Sequence, residues 1–293
     1  MYDAYMTAPI LITGATGTIG RQVLSGLLTA GVPVRAAALD PAGLAQDLPN
    51  VPAVRFDFTD AATWPGAFDG VEVMFLMRPP HLANIARDMA PALAAARDAG
   101  VAHTVLLSLQ GAERNRVVPH AKIEAWLRAS GRDWTFVRPS FFMENLSGVH
   151  APDIRDRDEI TVPAGRGATS FVAAADVAAV AVAALRDPAG HCNWAWTPTG
   201  PEALTYAQVA EILSAELGRP IRYTRPGALR YARHAHQELG MPAGMVAVTT
   251  AIYTIARLGR ASGLTDDVRQ VIGREPMSFA AWAHQYRDAW TRA

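Results

Sequence analysis

The patterning of the chain becomes legible at Ile10-Leu11-Ile12-Thr13, a short apolar run with no helical period that leads straight into glycine. Such a run predicts a strand buried on both faces. From Thr18 to Ala30 the apolar residues Ile19, Val23, Leu24, Leu27 and Leu28 recur at three- and four-residue spacing, and Gly31 and Pro33 follow, so the spacing predicts an amphipathic helix with a definite stop. The alternation continues with strands expected at Val34 to Ala37, Val54 to Phe56, Val71 to Met77 and Thr104 to Leu109, and a helix from Ile85 to Ala99. A helix from about His120 to Ala129 and a strand from Trp134 to Val137, stopped by Pro139, complete the series. Six strands with interposed helices imply right-handed crossovers, and predict an α/β fold with a doubly wound parallel sheet in the order 3-2-1-4-5-6.

Beyond Pro139 the rhythm breaks. Ala151 to Ala168 is rich in Asp, Arg, Gly and Pro and reads as an irregular excursion bordering a ligand cleft. Ala175 to Leu185 predicts a further helix, and Asn193 to Thr197 a last strand that returns the chain to the sheet. Thr205-Tyr206-Ala207-Gln208 has the spacing of a capping box, and the helix it opens should end at Gly218-Arg219-Pro220. A smaller, mostly helical C-terminal lobe is therefore expected. One domain is drawn over residues 9–150, rejoined by about 170–198, and a substrate-side lobe over 151–169 and 199–293. The longest apolar stretches, Phe171 to Leu185 and Met245 to Leu258, fall short of the roughly 20 residues that span a bilayer and read as buried helices.

Between the first strand and the first helix stands Gly14-Ala15-Thr16-Gly17-Thr18-Ile19-Gly20. That context is the one a dinucleotide-binding (Rossmann) loop requires. Gly14 would allow the tight turn, Gly17 would let the backbone approach a pyrophosphate, and Gly20 would let the helix pack closely. The phosphates would then meet free amides from Thr16 to Gly20 at the positive end of the helix dipole. NAD and NADP both fit.

The spacing is G-x-x-G-x-x-G, which resembles the extended and atypical short-chain dehydrogenases/reductases. Val105-Leu106-Leu107-Ser108, Gln110-Gly111-Ala112-Glu113, His120 with Glu124, Arg138-Pro139-Ser140-Phe141-Phe142-Met143-Glu144-Asn145 and Asp176-Val177-Ala178 extend the likeness. Their order and separation are similar to the NmrA-like family over roughly residues 9 to 225. The resemblance implies an NAD(P)-binding core under a variable C-terminal lobe. It also implies one of two kinds of protein: a flavin-free reductase of quinones, dyes or small carbonyl compounds, or a regulator that binds the dinucleotide without obvious chemistry.

Carried over residue by residue, the resemblance sets further expectations. The family's NADP-type pattern has arginine just before Asp-Pro, where this chain has Leu39 followed by Asp40-Pro41, and the acid position of related NAD enzymes holds Ala38. Arg35 or Asp40 remain as candidates for the ribose or its phosphate. Asp57 would accept the adenine amino group and Phe58 shape the adenine pocket, while Asp60 suits a helix cap. Met77 and Arg78 end the fourth strand at the edge where ligands bind, although a solvated arginine suits Arg78 as well. Ser108 and Pro139 would border the nicotinamide end, and Gln110, Phe141, Phe142 and Asn145 a flat organic substrate, with the aromatics equally suited to the core.

Short-chain dehydrogenases generally pair a tyrosine with a lysine four residues later, the lysine lowering the phenol so that it donates a proton as hydride arrives. Here those positions fall on Arg116 and His120. His120, with an ordinary pKa near 6.5, is left as the candidate proton donor, or as a group that only hydrogen-bonds the nicotinamide ribose. No metal site is expected. His234-x-His236 has neutral sequence neighbours and no third ligand nearby, and reads as surface.

Composition narrows the function classes. Half of the residues are hydrophobic and 18% charged, which excludes a disordered chain. Lys plus Arg and Asp plus Glu number 27 each, so no general positive field draws nucleic acid or an anionic membrane. Cys192 is the single cysteine, and Met1 to Ala8, with Asp3, lacks a basic start and an apolar run. Both features suit the cytoplasm. The leading expectation is an NAD(P)H-dependent reductase of a quinone-like or other conjugated small molecule. The alternative is a dinucleotide-binding regulator whose C-terminal lobe meets a protein partner.

Overall fold

A computed structural model describes residues 8–292, so residues 1–7 of the leader reading lie outside the described residues. Ile10, Leu11 and Ile12 are almost wholly shielded from solvent, and as strand β1 (Ile10–Ile12) they bond on one side to β2 (Val34–Ala38) and on the other to β4 (Val73–Met77). β3 (Ala53–Arg55) extends the sheet beyond β2, and β5 (His103–Leu107) with β6 (Asp133–Val137) extends it beyond β4. β10 (Trp194–Trp196) adds a seventh strand outside β6. Every pairing is parallel, and the order β10-β6-β5-β4-β1-β2-β3 is the expected one with the returning strand appended.

The crossovers run through α1 (Thr18–Thr29), α2 (Pro41–Asp47), α3 (Trp64–Phe68), α4 (Ile85–Asp88), α5 (Ala90–Asp98) and α6 (Pro119–Ala129), and α9 (Ala174–Arg186) precedes β10. α1 lies so near α9 that a Cβ on Gly26 would sit 2.9 Å from Val182 Cγ2. The single helix expected from Ile85 to Ala99 is two. Met89 (φ −125°, ψ −37°) leaves helical geometry, and Pro91 stands in the first turn of α5, where its missing N–H costs nothing.

The chain divides into two units: the described residues up to Pro139 with Ala174–Pro198, and Ser140–Ala173 with the chain from Thr199 onward. The second unit holds β7 (Phe141–Phe142), α7 (Glu144–Ser147), α8 (Ala151–Arg157), β8 (Glu159–Ile160), β9 (Ala168–Val172), β11 (Ala203–Thr205), α10 (Tyr206–Leu217), β12 (Arg222–Tyr223), α11 (Ala228–Gln237), α12 (Ala243–Arg257), α13 (Asp267–Ile272) and α14 (Phe279–Gln285). β11 and β7 flank β9 in a three-stranded sheet, and β12 pairs β8 in a second ribbon. Its core is aromatic: Phe171, Tyr206, Tyr231, Tyr253, Phe279, Trp282 and Trp290 are buried together.

Residues 140–150, drawn from the sequence into the first domain, thus fall in the second unit, because β7 pairs with β9 and Met143 and Leu146 join the aromatic core. Ala151 to Ala168 is not irregular throughout: Pro152 opens α8, which buries Ala151, Asp153 and Ile154, and Glu159–Ile160 is a strand. Phe171 to Leu185 is not one helix, since Phe171 and Val172 finish β9 before α9 begins. The capping box of α10 is present in both directions, and Gly218 ends that helix at φ +63°.

Met245 to Leu258 is helical but is not a buried helix. α12 turns Val246, Tyr253 and Ala256 inward and leaves Met245, Val248, Ile252, Ile255 and Leu258 exposed. An all-round apolar sequence gives no period from which to read a buried side. Chemical denaturation checks the orientation: Tyr253→Ala should cost about 3 kcal/mol or more, and Ile252→Lys should stay within about 0.5 kcal/mol of the parent.

Candidate functional site

The loop after β1 is built around close approach. Gly14 has φ +66°, a conformation costly for any residue with a Cβ, and a Cβ there would overlap the Met77 methyl. A Cβ on Gly20 would overlap the Gly14 carbonyl oxygen, so the third glycine lets α1 start against its own loop rather than against the sheet. The Gly17 amide donates to that same carbonyl at 3.0 Å. Thr13 ties the loop to β4, its Oγ1 donating to the Phe75 carbonyl (3.0 Å) and accepting from the Met77 amide (2.8 Å). Gly17 is the N-cap of α1, no side chain caps it, and the first turn carries no acid. The Gly17 amide is taken by Gly14, and the amides of Thr18, Ile19 and Gly20 that follow it at the positive end of the helix fit a pyrophosphate.

At the end of β2, Leu39 is 67% exposed, and Asp40 caps α2 by accepting from the Gly43 amide (3.1 Å). Arg35 is removed as a phosphate candidate, because its Nη1 donates to the carbonyls of Ala67 (3.1 Å) and Asp69 (2.6 Å). Past β3, Asp57 Oδ1 accepts from the amide and the hydroxyl of Thr59, both at 2.8 Å, and those bonds hold its carboxyl below the usual range. Phe58 does not open a pocket. Its ring packs edge-on against Phe56 at 4.7 Å between centroids, inside the core. Asp60 is the cap expected of it, accepting from the Ala62 amide at 3.1 Å.

Under α6 lies a polar knot that sequence reasoning did not assign a role. Glu124 is buried, and it accepts from Ser108 Oγ (2.6 Å), from Arg138 Nε (2.9 Å) and Nη2 (2.6 Å), and from Arg128 Nη2 (3.1 Å). Burial pushes its pKa up, but the bonds from Arg138 and Ser108 outweigh burial and leave it lowered, so the carboxylate stays ionised. The Ser108 hydroxyl, expected at the nicotinamide end, donates its hydrogen bond to Glu124. Only the spacing of Glu124 and Arg138 in the family-like motifs signalled this knot.

Above it, His120 stands near the start of α6. Burial, and then the charge of Arg78, lower its pKa to about 4, and its Nδ1 is buried without a partner. Burial thus favours the neutral ring and works against the proton-donor role expected of His120 near neutrality. Arg78 is not a solvated arginine. Its Nη1 donates to the carbonyls of Pro79 (2.9 Å), Pro80 (3.0 Å) and Leu82 (3.0 Å), while its Nε is buried and unpartnered. The Gln110 amide donates to the Pro139 carbonyl at 2.9 Å, joining the ends of β5 and β6.

In the second unit Phe141 is a core residue, its ring 5.7 Å from those of Phe171 and Tyr253. Phe142 and Asn145 are half-buried. His234 is not a surface histidine with neutral partners, since its Nε2 lies 2.7 Å from Asp153 Oδ2.

The sequence profile of the NmrA-like family matches residues 6–275. The chain belongs to the NmrA-like family. Similar proteins include an NAD(P)H azoreductase of Xenophilus azovorans, 37% identical over 292 residues, which are 97% of this chain and all of that one. Among solved structures, a Citrobacter triphenylmethane reductase complexed with NADP(H) matches at a TM-score of 0.84 and 25% identity, covering 95% of this chain and 99% of that one. An NADPH-dependent quinone oxidoreductase of Escherichia coli, complexed with NADPH, matches at 0.83 and 25%, covering 94% and 99%.

Two measurements check this NmrA-like site. Gly20→Ala should lower stability by about 1–3 kcal/mol in urea unfolding, through forced overlap with Gly14. His120 has a folded pKa of about 4, below its unfolded 6.5, so its contribution to stability is complete above pH 6.5 and is lost as pH falls towards and through 4. The ring-proton NMR signal of His120 should accordingly titrate near 4.

Proposed function

We propose that the chain is an NAD(P)H-dependent reductase that passes hydride, without flavin, to a quinone-like or otherwise extensively conjugated acceptor. The Thr16 amide and those of Thr18, Ile19 and Gly20 would hold the pyrophosphate, the Gly17 amide being held on Gly14, Asp57 would accept from the adenine amino group, and Arg78 with His120 would meet the nicotinamide end through the Nε and Nδ1 atoms that lack partners. When bound, the dihydronicotinamide supplies the hydride.

The observation that carries the choice of acceptor is the lack of a poised acid. Among the described residues the first unit has no tyrosine, and its lysine, Lys122, is exposed. Burial raises the pKa of Tyr206, Tyr223, Tyr231, Tyr253 and Tyr286 in the second unit, the opposite of a phenol tuned to give up its proton. With His120 neutral, the proton that completes the reduction comes from water. Such a site suits acceptors whose reduced anion is already spread over a conjugated system, because they ask least of a positioned donor. Azo and quinone compounds, named for relatives above, share that property, and a triphenylmethane dye cation is neutralised by hydride and asks for no proton at all.

The test is turnover. Purified protein with NADH or NADPH should consume reduced coenzyme with quinones and conjugated dyes, and at least a hundredfold more slowly with simple aliphatic ketones. Equal rates on simple ketones would remove the argument from the missing acid. Tight coenzyme binding with no turnover on any acceptor would favour the regulator.

A further inference from the structure

Beside the glycine loop, Thr16, Ala38, Leu39, Asp40, Gly43 and Asp47 line an open groove at the end of β2. A pyrophosphate on the first turn of α1 places the adenosine ribose at the end of the second strand, and this groove is the space there to receive it. Its charges decide which ribose is accepted. Arg21, the guanidinium nearest the loop, donates through Nε to the Thr16 carbonyl (3.1 Å) and turns Nη2 onto Asp47 at 2.6 Å. Leu39 contributes an exposed apolar side chain and no charge. Arg35 is held on backbone carbonyls, as described above. Arg55, register partner of Ala38 across the β2–β3 ladder, lies 3.7 Å from Asp60, and its charge also bears on Asp57. Along this edge Arg21 is paired with Asp47 and Arg55 with Asp60, while Asp57 and Asp40 add two further carboxylates.

We infer that this groove selects NADH over NADPH, with Asp40 accepting from the ribose hydroxyls and the Arg21–Asp47 pair denying a 2′-phosphate its cation. The inference rests on the dinucleotide reading of the glycine loop and deepens it. A 2′-phosphate brings close to two negative charges and needs charge-assisted donors. Here it would have to strip Arg21 from Asp47 while facing Asp40. A 2′-hydroxyl donates to a carboxylate directly, and the bond from Gly43 leaves Asp40 with acceptor capacity. The Arg21–Asp47 pair is partly exposed, at 45% and 55% of the two side chains, and exposed pairs are weak, so the expected preference is moderate rather than absolute.

Fluorescence or calorimetric titration of the full chain with NADH and with NADPH reads the inference without any acceptor. NADH should bind about tenfold more tightly. Asp47→Asn, which releases Arg21, should narrow the ratio about fivefold by tightening NADPH, and Leu39→Arg should narrow it further. NADPH binding as tightly as NADH, or tighter, in the parent protein overturns the inference while leaving the dinucleotide reading intact. A ratio unchanged by Asp47→Asn overturns the part given to Arg21 and Asp47. Binding of neither coenzyme overturns the dinucleotide reading itself, and the selection with it.

Discussion

The start of α1 is pressed against the carbonyl of Gly14 so closely that residue 20 has no room for a Cβ. This approach fixes where the first free amides of the helix lie and leaves them without a side-chain cap. It also sets the shape of the turn, which Thr13 then locks onto the Phe75 carbonyl and the Met77 amide of β4. β1 stands between β2 and β4, so the loop is braced by neighbouring strands whose backbone groups are already paired. An anion site made of backbone donors works only if the donors do not move toward some other acceptor, and this bracing supplies that rigidity.

Much of the first unit was legible in the sequence because its strands are buried on both faces and its turns are marked by glycine. The order of six strands was expected from alternation and handedness and the seventh was expected to rejoin the sheet, though not where, and the three glycines named the loop. What escaped depends on partners remote in sequence. Ser108 reads as a strand-end hydroxyl facing a ligand until Glu124, 16 positions away, is found to accept its hydrogen bond. Arg35 reads as a candidate for the ribose or its phosphate until the carbonyls at the end of α3 claim it. The neutrality of His120 comes from burial and from Arg78 in another crossover, neither of which any local pattern encodes. α12 escaped for a different reason: a helix apolar on all sides does not announce which side it buries.

The two units rest on different physics. Beneath α6 the first unit keeps a carboxylate in the interior by giving it donors from Ser108, Arg128 and Arg138. Arg138 in turn lies over the Phe136 ring, 5.7 Å from its centroid, and 3.4 Å from Glu113. Removing one member would leave a buried charge without compensation, whereas the whole knot is self-consistent. The second unit is held by aromatic edges and faces, with the phenol of Tyr253 satisfied by His150 Nε2 at 2.6 Å. Burial drives His150 to a pKa of about 4, so this pair too is neutral near pH 7 and adds no charge to an apolar core.

Arg78 and His120 connect stability to ligand binding. Each keeps one buried polar atom without a partner, Nε on the arginine and Nδ1 on the histidine. A buried polar atom left unpaired costs about 1–3 kcal/mol, because water can no longer bond it. Folding meets that cost in the free protein, and a ligand offering an acceptor to Arg78 and a donor to His120 recovers it. The imidazole must be neutral for this, since an imidazolium beside Arg78 would repel it and would have no acceptor nitrogen left. The lowered pKa that disfavours the imidazolium is therefore the same property that keeps an acceptor nitrogen on the ring. A neutral imidazole has one donor and one acceptor nitrogen, so beside the Arg78 Nε–H donor it keeps a hydrogen-bonding capacity that an imidazolium would lose.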